Sequence, residues 1–295
     1  MEQVLQIQHL SKSYGRIRAL KDLSIEVSPG HVFGILGPNG SGKTTTLAII
    51  TGVLRQDSGS FTWFGRIPVS QLRKRIGSLI EAPNFYPYLD LQKNLLLVAR
   101  IKSKPAYDIE RVLHTTGLWE RRKSRYETLS LGMKQRLALA AVLLGDPEVL
   151  VLDEPANGLD PEGIADVRMI IKQEAEKNKT IILASHILDE VEKVCTHVAV
   201  LKKGGTIAQG RVHELLAAEV PVVVVCGVAE ILAEELVRAG MTLSVERRGN
   251  ELSLILKKEF NAGDVNAFAF KKGIVLTHLE TRKKSLESQF LELVK

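Results

Sequence analysis

The chain has 295 residues, 45% of them hydrophobic and 25% charged, with a formal net charge of +6. This is ordinary globular composition, with room for one large domain and a small one. It excludes a bilayer-crossing chain, because no apolar run reaches the required length, and two cysteines, Cys195 and Cys226, in apolar segments point to a reduced cytoplasmic protein with no Cys/His metal cluster.

The N-terminal stretch MEQVLQIQHLSKSYG has no basic start followed by an apolar core, so no secretory leader is expected. Val4–Ile7 and Leu23–Val27 alternate as half-buried strands do, with Lys12-Ser13-Tyr14-Gly15 between them. Tyr14 either caps a strand end or folds back to stack on a purine. Pro29-Gly30 turns into the apolar run Val32–Leu36, a buried strand. Next comes Gly37-Pro38-Asn39-Gly40-Ser41-Gly42-Lys43-Thr44-Thr45, and then a helix ending at Gly52. Strand, glycine loop, helix is the phosphate-binding loop, G-x-x-x-x-G-K-T. Its glycines let backbone N–H groups converge on an anion, and the helix N-terminus adds partial positive charge. Lys43 would reach the β/γ-phosphates, and the Thr44 hydroxyl would ligate Mg²⁺.

Phe61–Gly65 reads as strand and turn, and Ile76–Ile80 as a buried strand that delivers Glu81 into the loop Ala82–Tyr88, rich in proline and aromatics. Such a loop either docks a partner or tucks its aromatics into its own domain. Leu89–Ile101, Ile109–Gly117 and Met133–Gly145 are periodic as helices. The basic run Arg121-Arg122-Lys123-Ser124-Arg125 has no interleaved aromatics and reads as a solvated face. Val149–Leu152 is wholly apolar, as at the centre of a parallel sheet, and ends in Asp153-Glu154-Pro155. Asp160-Pro161 opens a helix. Thr180–Ala184 is the next strand, ending at Ser185-His186, and His197–Leu201 with Gly205–Ala208 form a closing hairpin.

Composition shifts near residue 218. The order from Val222 onward is βαββαβ, a small α+β ferredoxin-like domain, with an amphipathic terminal helix, Ser285–Val294. It carries no catalytic constellation, and packing or dimerisation is its expected role.

Nucleotide hydrolysis needs a cradle, a metal and a group that positions water. Asp153, at the end of a buried strand, can hold Mg²⁺, Glu154 can act as general base, and His186, at the neighbouring strand end, can contact the γ-phosphate. Leu129–Arg136 places Ser130 and Gly132 at a second helix N-terminus, a second anion site. Two anion sites and one nucleotide suggest that the second serves another subunit.

On these residues the chain resembles the ATP-binding subunit of an ABC transporter. Gly37–Thr45 matches the family's Walker A motif, Leu129–Arg136 its L-S-x-G-x-x-Q-R signature, Val149–Pro155 its Walker B, Gly158-Leu159-Asp160 its D-loop and Ser185-His186 its H-loop. The match covers roughly residues 4 to 217. It implies an α/β P-loop NTPase fold with a β-subdomain and a helical subdomain (about residues 89–145) within domain 1–217, followed by the accessory domain 218–295. It implies ATP and Mg²⁺, with Tyr14 on the adenine; Asn39, Gly40, Ser41, Gly42, Lys43, Thr44 and Thr45 on the phosphates; Thr44, Asp153 and Glu81 toward the metal; and Glu154 and His186 in catalysis. Ser130, Gly132 and Gln135 would act in trans beside Asp160 in a head-to-tail homodimer. The partner would be an integral membrane permease, which places the chain at the cytoplasmic side of the membrane as a peripheral exporter subunit. Glu81 departs from the family's usual glutamine and is similar to the ATPases of bacitracin-resistance and lantibiotic-immunity exporters.

The alternative is a non-transport ABC ATPase acting on nucleic acid or the ribosome, which the basic charge permits. Against it stand a single ATPase unit and no long charged heptad insertion. A P-loop kinase or GTPase needs neither the signature stretch nor His186.

Overall fold

The computed structural model describes residues 3–67, 72, 74–81, 84–217 and 221–281. The chain divides into two units, Met1–Val212 and His213–Lys295.

In the first unit, long alternating segments pair locally. β1 (Leu5–Tyr14) and β2 (Ile17–Val27) form an antiparallel hairpin, and β4 (Ser58–Trp63) joins β1 on its other side. The strands run further than their apolar alternation suggests. Tyr14 pairs with Ile17 across Gly15, whose φ of 58° lets the chain reverse tightly, so residues 12–14 are strand rather than connection.

Short runs apolar on every residue assemble instead into a six-stranded sheet. Its order is β5 (Ile76–Leu79), β6 (Val149–Asp153), β7 (Thr180–Ser185), β3 (Val32–Leu36), β8 (His197–Lys202) and β9 (Gly205–Arg211). The first five are parallel and β9 is antiparallel. All five residues of β3 and all six of β7 are buried, as a sheet covered on both faces requires. One apolar core joins Leu5, Ile7 and Ile25 of the small sheet, Phe33 and Val151 of the large one, and Leu47 and Ile50 of α1 (Lys43–Ile50). The Trp63 indole donates to the Ile50 carbonyl at 2.8 Å and ties β4 to that helix.

Between β5 and β6 the chain forms α2 (Leu91–Ile101), α3 (Asp108–Thr115) and α4 (Leu131–Leu143). Leu137 to Leu143 of α4 are buried throughout. An ionic network links neighbouring pieces. Asp108 accepts from Arg111 and from the Gly145 N–H, and Lys179 reaches Asp146 at 2.5 Å and the fully buried Glu174 at 2.7 Å. α5 (Pro161–Glu176) and α6 (Leu188–Val194) follow in the first unit, and α7 (Val212–Ala217) begins at the division.

The second unit is β10 (Val222–Cys226), α8 (Ala229–Arg238), β11 (Thr242–Arg248), β12 (Glu251–Leu256), α9 (Ala262–Lys271) and β13 (Leu276–Thr281). Its sheet is antiparallel in the order β11-β12-β10-β13. It has its own core, with Val222, Val224, Leu232, Leu236, Leu254 and Val265 buried together. Asn261 and Asp264 form a reciprocal capping box at the start of α9. The expected terminal helix lies outside the described residues.

Candidate active site

β3, β7 and β6 are parallel neighbours, so their C-terminal ends share one edge: Leu36 pairs with Ser185, and Asp153 with Ala184. Whatever follows these strands opens into one crevice, where open α/β sheets bind ligands. The glycine loop follows β3. Gly42 is the N-cap of α1 with φ 109° and supplies no side-chain cap, leaving the first helical N–H groups for a ligand. A Cβ at Gly42 would meet Leu20 Cδ2 at 2.6 Å and the Ala19 carbonyl at 2.8 Å, so a larger residue would push the loop off β2.

The loop borders a cavity of about 500 Å³ lined by Asn39, Gly40, Gly42, Lys43, Thr44, Thr45 and Glu154 among others. Lys43 is 6% exposed. Its ammonium donates to the Gly37 carbonyl at 2.8 Å and lies 3.5 Å from Glu154 Oε1. Ser41 is buried behind the loop, and its Oγ has no hydrogen-bond partner.

Three carboxylates converge beside Thr44. Burial raises the Asp153 carboxyl above its ordinary range; a hydrogen bond from Thr44 and the charge of Lys43 oppose this, while Glu154 and Glu81 add to it. Asp153 Oδ1 is buried with no hydrogen-bond partner. An orphaned, desolvated carboxylate oxygen beside a hydroxyl is a pair of hard oxygens that suits a divalent cation. No group of three or more His, Cys, Asp or Glu among the described residues could hold a metal by itself. Glu81 and Glu154 both have left-handed backbone, φ 63° and 45°, at the ends of β5 and β6. Such conformations are uncommon for non-glycine residues and concentrate at functional sites.

Glu154 is held from the far side as well. Its Oε2 lies 2.8 Å from His186 Nδ1 and accepts from the His186 backbone N–H at 3.3 Å. Lys43, Glu154 and His186 thus form a continuous chain across the crevice.

The other expected residues fall elsewhere. A second cavity of about 420 Å³, sharing no lining residue with the first, is bordered by Ser130, Gly132, Gly158 and Asp160. Ser130 caps α4 by accepting from Met133 N–H at 3.3 Å, and Asp160 caps α5 by accepting from Gly163 N–H at 2.9 Å, so two helix N-termini border one cavity. Arg136 spans it, reaching Asp166 of α5 at 3.5 Å and the Thr116 carbonyl after α3 at 3.4 Å. Gln135 lies on α4 outside the cavity lining, and Tyr14, half exposed at the hairpin end, does not line the first cavity.

Several lining residues carry no sequence motif: Ile17, Arg18 and Lys21 of β2, and Lys203. Lys203 occupies the β8–β9 turn, which is tied to the loop by Gly204 N–H to Ser41 O at 3.0 Å and to β2 by Lys21 N–H to Gly204 O at 2.7 Å. The glycine pair after Lys203 signals a turn, but nothing local says where that turn lands.

Residues 20–157 match the ABC transporter family. The chain is 41% identical to the bacitracin transport ATP-binding protein BcrA of Bacillus licheniformis over 69% of this chain and 68% of that one. It is 33% identical to the Nod factor export ATP-binding protein I of Cupriavidus metallidurans over 99% and 98%. The solved structure of cbiO1 from Clostridium perfringens, part of the ABC transporter complex cbiONQ, superposes with a TM-score of 0.66 at 28% identity, covering 81% of this chain and 97% of that one.

Proposed function

Because this chain belongs to the ABC transporter family as an ATP-binding ATPase subunit, we propose that it powers an exporter by closing head to tail on a second copy of itself. The observation that carries this reading is the separation of the two cavities. The glycine loop, Lys43 and Glu154 line one, and Ser130, Gly132 and Asp160 line the other. Each is half of a nucleotide site, and a second copy supplies the missing half. Two relatives named for bacitracin transport and Nod factor export favour export over an activity on nucleic acid or the ribosome. No described helix is long and apolar enough to cross a membrane. Transport therefore calls for a separate permease, with this chain at its cytoplasmic face.

In that assembly the loop N–H groups and Lys43 bind the phosphates and Tyr14 closes on the adenine. Thr44, Asp153 and Glu81 would hold Mg²⁺, which supplies charge neutralisation at the phosphates. Glu154 takes the proton of the attacking water, and His186 holds Glu154 at the 2.8 Å contact, keeping its carboxylate in place. The sheet order β11-β12-β10-β13 supports a ferredoxin-like reading of the second unit as an accessory module.

The test uses Glu154→Gln. It should lower hydrolysis by at least about a hundredfold and sediment as a dimer only with ATP. Adding Ser130→Arg should abolish the dimer while each chain still binds nucleotide. Dimers that persist with Ser130→Arg, or that form without nucleotide, would sink the head-to-tail reading.

A further inference from the structure

Lys203 stands where its own backbone disfavours it. Lys202 pairs with Gly205 across the β8–β9 hairpin, so Lys203 and Gly204 are the two central residues of its turn. Both have left-handed backbone, φ 50° and 85°. Two-residue turns of this kind strongly prefer asparagine, aspartate or glycine at the first central position, and a lysine there carries strain. The turn has no room to relax against β2. A Cβ on Gly204 would meet the Ala19 carbonyl oxygen at 2.6 Å, and the Gly204 N–H is bonded to the phosphate loop through Ser41 O. The strained lysine is thereby held at a set place on the edge of the first cavity.

A cation at that place has a use. Arg18 and Lys21 of β2 line the same cavity, and all three residues are exposed. None of the three has a carboxylate partner among the described residues. Lys43 differs, being buried and 3.5 Å from Glu154. The cavity therefore combines a buried cation in the loop with exposed, unpaired cations at its edge, and its ligand carries a chain of negative phosphates. Exposed charges of one sign around a cleft speed the encounter with an oppositely charged ligand. They act through a field that salt screens, rather than through desolvated contacts.

We infer that Lys203, with Arg18 and Lys21 beside it, is a nucleotide-capture residue that draws the phosphate chain of ATP or ADP into the first cavity. The inference rests on reading that cavity as the nucleotide site, and it adds to the site residues that no nucleotide motif contains. Capture needs neither a second copy nor a permease, so ADP and the chain alone suffice to test it.

The experiment is stopped-flow binding of a fluorescent ADP analogue to the full chain at low and high salt, with a thermal melt of each variant. Lys203→Asn gives the turn a residue that it prefers and removes the charge. It should melt no lower than wild type, while association slows about threefold at low salt. Adding Arg18→Gln should bring the slowing to about tenfold. Dissociation should stay close to wild type, and the differences in association should close as salt rises. Lys203→Arg, which keeps the charge, should associate as wild type does. A Lys203→Asn chain that associates at the wild-type rate at low salt overturns the inference. So does a slowing that salt does not erase or that Lys203→Arg shares, because the geometry of the turn is then responsible. A wild type that takes up no nucleotide overturns the reading of the cavity and the inference with it, an outcome distinct from the other two.

Discussion

Asp153 is a carboxylate held where folding works against its charge. Burial raises its pKa, and one oxygen is left without a partner. A raised carboxyl pKa means that the folded state carries a penalty at neutral pH, which disappears as pH falls through the folded and then the unfolded value. Asp153→Asn should therefore raise the melting temperature of the nucleotide-free protein at pH 7, with the gain shrinking on acidification. The same change should lower Mg²⁺-dependent hydrolysis at least about tenfold. Thermal scans at pH 7 and pH 4.5 beside an ATPase assay check both; a destabilised variant would mean that Asp153 is an ordinary structural acceptor. The motif identifies Asp153 by its place after an apolar strand. The motif says nothing of the Thr44 hydrogen bond or the field of Glu81, because these arrive from elements 109 and 72 residues away in sequence (153 − 44 and 153 − 81).

At the scale of elements, parallel pairing brings unrelated residues into register at both ends of the sheet. At the C-terminal edge it builds the crevice. At the other, His31, just before β3, stacks on His197, the first residue of β8, with centroids 3.8 Å apart. Burial, with Arg211 second, lowers the His31 pKa below its ordinary 6.5. The folded state then resists a proton that the unfolded chain accepts, so His31 supports stability fully above pH 6.5 and less as pH falls below it. Thermal melts of wild type should lose more stability between pH 7 and 5.5 than melts of His31→Gln. Equal losses would place the sensitivity elsewhere. Neither histidine marks itself in sequence, since a lone histidine before an apolar strand reads the same whether stacked or solvated.

For the whole molecule, the two units have separate cores, and the contact chain Lys43–Glu154–His186 lies within the first. A chain ending at Ala217 should therefore fold cooperatively and bind ATP with wild-type affinity, as nucleotide titration and a single sharp melt would show. Loss of binding on truncation would place part of the site's support in residues 218–295.

Local sequence set where most elements lie and the chemistry of their ends, though not the full length of the β1–β2 hairpin. Apolar runs of strand length, glycine spacing and cap residues act over a few neighbours, so the phosphate loop, the signature stretch and Asp153-Glu154 are legible without a fold. Only the tertiary structure decided which ends meet. It put Glu154 between Lys43 and His186 and brought Lys203 and Arg18 to the first cavity. It also kept Ser130 and Asp160 apart in a second cavity and laid the aromatic loop against the basic run. These depend on strand order and register, which arise from burial and backbone pairing summed over the whole chain, and no local window of residues carries that sum.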